Sequence, residues 1–444
     1  MNKKQGNPKS GRRRSINAVV DNIAFAFSGL AAVWLAWLVL SEGFVWGWTV
    51  ILFFVLFWLV LAYLVLPRLH RILTSIYVPD YFIGRARTSD GLLGDPINLA
   101  IVGSEAQLHE AMTRSGWIRA DPVTFASSWR IVTSTIFRRS YDEAPVSPLL
   151  LFGHQQDLAY QQEVAGNPAK RHHVRFWRCP DGWLLPGGHG ADWLAAGTFD
   201  RAVGFSLFTL QITHKIDADT DTERDHIVET LKSGGPGIEV RVIEDFATGY
   251  HSRNGGGDSI ETDGNLPVVD VGPVTIAADG NPLGPDLAAR RAALARRRPA
   301  STALGVVLMA IRVVVGLVTV AMIVTQWPVL LDDAGVSLTT ADQQILTVVR
   351  IIVIVVGAVG VAAYLLLAIG VFRGSNWARI ASMAYSGLLV AIAAFAFFSG
   401  ESTTLTTNVF GLPLDILVLL ALSAHKSRVW ARRGEEPALK AGGI

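Results

Sequence analysis

The sequence predicts a membrane protein in which six transmembrane α-helices, two before and four after, flank one cytoplasmic α+β domain. Three observations predict it. Six apolar runs are each long enough to cross a hydrocarbon layer of ~30 Å at a helical rise of about 1.5 Å per residue. Lys and Arg gather at alternate ends of those runs. Between the second and third runs lies a long polar stretch with alternating, strand-like segments and helix-capping signals.

The spans fall at 18–40, 44–66, 304–328, 349–372, 379–398 and 408–424. The first follows the basic residues Lys3, Lys4, Lys9, Arg12, Arg13 and Arg14 and is too long for a cleaved signal, so it reads as a signal anchor. The loop Ser41-Glu42-Gly43 has no basic residue and is expected outside. Arg68, Arg71, Arg85 and Arg87 follow span two, and Arg290, Arg291 and Arg296 to Arg298 precede span three, so both flanks are expected inside. The loop with Asp332 and Asp333 is expected outside, Arg373 and Arg379 inside, the loop 399–408 outside, and Lys426, Arg428, Arg432 and Arg433 inside. The resulting organisation is a basic cytoplasmic tail (1–17), a two-helix hairpin (18–66), a soluble α+β domain (84–250), a Gly/Pro/Asp-rich linker with a basic juxtamembrane helix (251–300), a four-helix region (301–424) and a second basic cytoplasmic tail (425–444). The protein is thus placed in the inner or plasma membrane.

Within the spans, Asp415 is expected at interface depth or paired with Arg350, and Arg312 is expected to snorkel toward the headgroups. Small-residue stripes at Ala24, Ser28 and Ala32 and at Ala358 and Ala362 predict close helix contacts, within the chain or between copies. Few intramembrane polar residues and no evident repeat argue against a transporter.

Of the 444 residues, 50% are hydrophobic and 17% charged, and the net charge of +2 hides a segregation. Residues 84–285 hold 26 Asp/Glu against 17 Lys/Arg. An acidic domain lacks the basic patch a nucleic-acid partner requires, so none is expected. The single cysteine, Cys179, allows no intrachain disulfide and reads as a small buried apolar residue.

In the central domain, Asn98–Gly103 reads as a strand and Ser104 with Gln107 as a capping box. Further strands are expected at 149–152, 158–161, 171–179, 193–199, 205–216 and 239–245, with a second capping box at Thr220–Glu223 opening a helix. In 171–179, Val174 and Phe176 share one face and His173, Arg175 and Trp177 the other. In 205–216, Phe208, Leu210 and Ile212 are expected on an apolar face with His214. Residues 251–285 read as loop and linker, followed by a basic helix at 285–298 suited to an anionic leaflet.

Several motifs in order carry a resemblance: Asp95-Pro-Ile-Asn98, Val102-Gly-Ser104, Ala144-Pro-Val-Ser-Pro-Leu-Leu-Leu-Phe-Gly153, Gln156-Asp-Leu-Ala159, Lys170-Arg-His-His-Val-Arg-Phe-Trp177, Gly197-Thr-Phe-Asp200, and Thr213-His214 through Glu223-Arg224-Asp225. Over roughly 93–250 the chain resembles the LssY C-terminal domain family. The resemblance implies a family without an established reaction. Some of its members carry a phosphatase-like membrane region, but the Ser-Gly-His element of that region is not found here. The chain has Gly153-His154 where the family pattern has Gly-Arg, and His214-Lys215 where it has a His pair.

Eight of the ten histidines fall within 84–285. His173, Arg175, Asp200 and His214 are the candidate catalytic residues, since imidazole and carboxylate together supply general acid and base, and His173 with Arg175 suits an anionic group such as phosphate. His172, Asp157 and Arg201 are candidate ligand-binding residues. His172 and His173 point to opposite faces of a regular strand and cannot share a ligand. No zinc motif of standard spacing is present, the Asp217–Asp221 cluster lacks the Gly and Glu of a calcium loop, and Gly255–Gly257 is not followed by Gly-Lys-Ser/Thr. No metal is expected and the sequence names no cofactor. The expected function is presentation, at the inner leaflet, of a domain that binds an anionic or lipid ligand or a protein partner. The alternative is a hydrolase acting on a phosphorylated or lipid substrate.

Overall fold

A computed structural model describes residues 16–42, 49–78, 82–89, 91–121, 146–164, 170–247, 253–276, 287–327, 342–400 and 411–433. The N-terminal basic cluster, the loops around Asp332 and 401–408, and the chain beyond Arg433 lie outside them. The chain divides into two compact units, Leu66–Arg291 and the combination of 1–65 with 292–444.

The first of these units is an α+β domain. Its strands are β1 (Arg85–Arg87), β2 (Leu93–Pro96), β3 (Leu99–Val102), β4 (Ile118–Arg119), β5 (Leu150–Leu151), β6 (His154–Gln155), β7 (Leu158–Glu163), β8 (Arg171–Arg178), β9 (Trp193–Phe205), β10 (Ile212–Ile216), β11 (Glu239–Ile243) and β12 (Leu266–Asp270). The main sheet runs β11-β12-β3-β9-β8-β7-β4, with β10 on the far part of β9, and β2-β1-β5-β6 form a small second sheet. Among the described strands, the β3–β12 pairing is parallel and the others are antiparallel.

Side-chain alternation gives the main sheet two faces. Tyr160, Val174, Phe176, Trp193 and Ala195 point to the helices Glu105–Arg114 and Thr220–Ser233, where Leu108, Met112, Ile227 and Leu231 complete a core. Ala100, Trp177, Leu194, Ala196 and Val268 point the other way, toward Ala86, Leu149 and Leu151 of the small-sheet region. Further along β8 this second face turns polar, with Arg175, His173 and Arg171 in succession. Ser104 caps Glu105–Arg114 in the expected box with Gln107. Buried Asn98 clamps the sheet to the second helix by bonding the backbone of Gly197 in both directions and the carbonyl of Thr220.

Several expectations need correction. The strand read as 205–216 is a hairpin: β9 continues to Phe205, and the chain turns through 206–211, where Ser206 and Gln211 pair and Leu210 adopts φ +56°. Helix Thr220–Ser233 is capped by Asp219, not Thr220; Asp219 accepts from the backbone of Asp221 and Thr222, and Glu223 bonds His172. Asp217–Asp221 is thus a helix start. The segment read as linker supplies β12, which is hydrogen-bonded on both sides although Pro267 lacks an N–H. The basic helix spans Leu287–Arg296, and its Arg290 and Arg291 pair with Glu105 and Asp157 of the domain.

The second unit is helical. Among the described residues of the whole chain, five helices are long and apolar enough to cross a membrane: Ile16–Ser41, Phe54–Thr74, Ala300–Thr325, Ile345–Arg373 and Asn376–Phe398. The sixth expected span differs. Its described part is a helix of 12 residues, Leu412–Ser423, which breaks at Ala424 before a short helix His425–Ala431. Twelve residues reach about 18 Å, short of the ~30 Å hydrocarbon layer. This helix is almost wholly buried against Ile16–Glu42, Ala300–Thr325 and Asn376–Phe398. Ser28 and Ala32 are fully buried, and the Ser28 hydroxyl lies 3.1 Å from that of Ser423, so the first small-residue stripe is a helix contact. Ala358 and Ala362 are exposed, so the second stripe is not buried against the described helices of its own chain.

The polar residues in the helices also differ from expectation. Asp415 is buried, accepts from Ser386 at 3.0 Å and lies 3.5 Å from Arg312, whereas Arg350 donates to the carbonyl of Val324. Two charges far apart in sequence neutralise each other inside the bundle, so neither must snorkel. A second pairing joins buried Asp21 to Arg379 and Arg432.

Candidate functional site

The polar half of the second sheet face forms the floor of a cleft of about 390 Å³ within the central domain. Register explains why its residues meet. His173 on β8 stands opposite Gln161 on β7 and Thr198 on β9, and Arg171 stands opposite Asp200. The β9–β10 register then skips Arg201: Ile216 pairs with Asp200 but Lys215 with Ala202. Such a bulge re-aims the residues beyond it. His214 thereby comes round to Asp200, with its Nδ1 3.5 Å from Oδ2.

Asp200 sits between two imidazoles, since His173 Nδ1 also lies 3.5 Å from the same Oδ2. His173 Nε2 is 2.7 Å from the Thr198 hydroxyl. A ring protonated on Nδ1 satisfies both contacts, facing the carboxyl on one side and accepting from Thr198 on the other. Burial holds His173 well below its ordinary range, and Arg175 and His214 add to that. Burial also lowers His214, with Arg171 and Arg175 contributing. Asp200 is pushed up to about 7 by burial, against the opposing pull of Arg175. These contacts therefore join neutral imidazoles to a carboxyl poised near neutrality, and are not fixed ion pairs.

Arg175 crosses the cleft wall. It donates to Asp95 Oδ2 at 2.8 Å and to the carbonyl of Ser147 at 3.1 Å. The cleft continues past Ser206 and Thr209 of the hairpin turn to the loop 254–258. There Asn254 Oδ1 accepts from the backbone of Gly256 and Asp258, and Gly257 adopts φ +84°. Lys215 bonds Asp258 at 3.0 Å and the carbonyl of Gly256 at 3.1 Å. The glycine run is thus a built wall of the cleft. Among the described residues, no three His, Cys, Asp or Glu side chains are placed to hold a metal ion.

The four candidate catalytic residues His173, Arg175, Asp200 and His214 all line this cleft. The three candidate ligand-binding residues do not. His172 faces the helix side, with its Nδ1 2.6 Å from Glu223 Oε2 and its ring stacked on His226 at 4.3 Å. Asp157 accepts from the backbone of Arg178 and pairs with Arg291. Arg201 is the exposed bulge residue. Sequence reasoning missed Asp95, Gln161, Arg171, Thr198 and Lys215. The i, i+2 spacing of Arg171 with His173 and Arg175 could have found one of them, but the others depend on cross-strand register. Cys179 is buried, and burial pushes its thiol up to about 12, so it is an unreactive part of the core.

The apolar helices and the cleft-bearing α+β domain define a membrane protein with one folded polar domain. Residues 75–266, under half of the chain, match the model of the family described as LssY C-terminus, and this central segment is similar to that family. No curated protein and no solved structure matches the chain.

Proposed function

We propose that the central domain faces the cytoplasm from the inner or plasma membrane, with both termini on the same side, and that its cleft binds a ligand bearing an anionic group. The orientation rests on the Lys/Arg bias of the flanks. The binding reading rests on one observation: Arg171, Arg175, His173 and His214 converge on one cleft from two strands of β8–β10. The Arg171 guanidinium there would meet anionic oxygens, and Arg175, held in the wall by Asp95 and Ser147, adds positive charge beside them.

The experiment is calorimetric titration of the full-length protein with inorganic phosphate and glycerol phosphate. Arg171→Gln and His214→Ala should weaken binding at least tenfold, about 1.4 kcal/mol, while His172→Ala on the opposite face should leave it unchanged. Equal loss in all three variants, or no binding by the wild type, would remove the reading.

The hydrolase reading is favoured by a separate observation, the Asp200 carboxyl near neutrality between two imidazoles. Such a group can take or give a proton at physiological pH. Release of phosphate from phosphatidic acid or a soluble phosphomonoester, abolished by His173→Ala and Asp200→Asn, supports it. Turnover indifferent to both substitutions sinks it.

A further inference from the structure

The hairpin joining β9 to β10 is built inside out for a domain surrounded by water. Its polar residues Ser206 and Thr209 are 3% and 5% exposed and point into the cleft, whereas Phe205 and Leu207 are 61% and 62% exposed. Val203, Phe208, Leu210 and Ile212 are exposed as well. Six large apolar side chains on ten consecutive residues form a contiguous patch of the kind that marks an interaction surface.

The patch is continuous with the membrane-entering part of the same unit. Phe208 packs edge-on against His70 at 6.4 Å between ring centroids. His70 lies on the helix Leu66–Tyr77, whose first nine residues are the end of the apolar span Phe54–Thr74. Leu69, Leu73, Ile76 and Tyr77 on that helix are exposed too. A ring in contact with the end of a span lies near the depth at which the span leaves the hydrocarbon. Arg201 at the hairpin's base is exposed, as suits a residue facing anionic headgroups.

The turn is also held firmly. The Leu207 N–H donates to the carbonyl of Gly256, and a Cβ at Gly257 would overlap the Leu207 side chain. The apolar tip is therefore a fixed projection of the cleft's rim.

We propose that the Val203–Ile212 hairpin lies in the boundary between headgroups and acyl chains of the bilayer, so that the cleft behind it opens on the lipid surface and takes its anionic ligand from there as a lipid headgroup. The second clause rests on the anion-binding reading of the cleft. The first does not.

The test uses the full-length protein in phosphatidylcholine vesicles, with an environment-sensitive dye attached to Phe205→Cys or Leu207→Cys. Lys232→Cys, exposed on the helix of the opposite face, is the control. The native Cys179 is buried and does not compete for the label. The hairpin labels should show blue-shifted emission, loss of intensity with doxyl-labelled phosphatidylcholine and protection from aqueous iodide, and the control the reverse. Iodide quenching at 205 and 207 equal to that at 232 overturns the proposal. So does protection from both quenchers, which would mean that protein covers the tip. Because these vesicles contain no anionic lipid, failure of the cleft to bind phosphate leaves this measurement intact. Conversely, a water-exposed hairpin with intact phosphate binding removes only the membrane contact.

Discussion

Replacing Asp200 by Asn should change how the stability of the domain depends on pH. Burial raises this carboxyl from 3.8 to about 7, so the folded protein keeps its proton over a range in which the unfolded chain has lost it. Below pH 4 both states are protonated and the group contributes nothing to the difference. As the pH rises toward 7 the unfolded chain ionises first, and folding stability falls by roughly 1.4 kcal/mol per pH unit. Above pH 7 the loss levels off at about 4 kcal/mol, an upper limit set by the full shift. Asparagine cannot ionise, so the variant escapes this loss. His173 and His214 are held low and bring the opposite dependence, with stability lost as the pH falls below 6.5, but they remain in both proteins and largely cancel. The assay is denaturant unfolding of wild type and Asp200→Asn at steps from pH 4.5 to 8, followed by tryptophan fluorescence. The stability of the wild type relative to the variant should decline steadily up to about pH 7 and then stay flat. A relative stability that rises with pH would describe a carboxylate stabilised in its ionised form and would refute the neutral-cluster description.

Three other outcomes follow from the packing. Arg175→Met leaves buried Asp95 unpaired, and should cost about 3–5 kcal/mol in the same unfolding assay, with much of it recovered in the double variant with Asp95→Asn. Gly257→Ala forces a side chain into a left-handed conformation against Leu207, and should cost about 1–3 kcal/mol, read by unfolding and by faster proteolysis at the hairpin turn. In the helical unit, Arg312→Met strands the Asp415 carboxylate, and should lower the melting temperature in detergent much more than Arg312→Met combined with Asp415→Asn.

The legible parts of the fold were those with a local cause. Hydropathy found five helices apolar enough to cross a membrane, though it set the second at 44–66 where the structure has Phe54–Thr74; alternation along 171–178 assigned both faces of β8, and the Ser104–Gln107 box marked a helix start. Partner choice was not legible. Nothing local in Leu266-Pro-Val-Val-Asp270 announces a strand paired on both sides, because it is short and carries a proline. Arg312 finds Asp415 through helix packing, which leaves no mark on the periodicity of either segment. At the cleft, residue type and spacing singled out His173, Arg175, Asp200 and His214. Their meeting depends on the one-residue skip at Arg201, and the pairing of Arg175 with Asp95 on a strand 80 residues earlier depends on the tertiary fold. The hairpin was misread for the same reason: an apolar run that suggests a continuous buried strand is here a turn with its apolar side chains facing outward.

The anion-binding cleft is tested most directly by nitrogen NMR of histidine-labelled full-length protein titrated with inorganic phosphate. The ring nitrogens of His173 and His214 should shift together and saturably, while those of His172 and His226, stacked on the opposite face, stay in place. Shifts confined to His172 and His226, or none at any concentration of phosphate, would contradict the account.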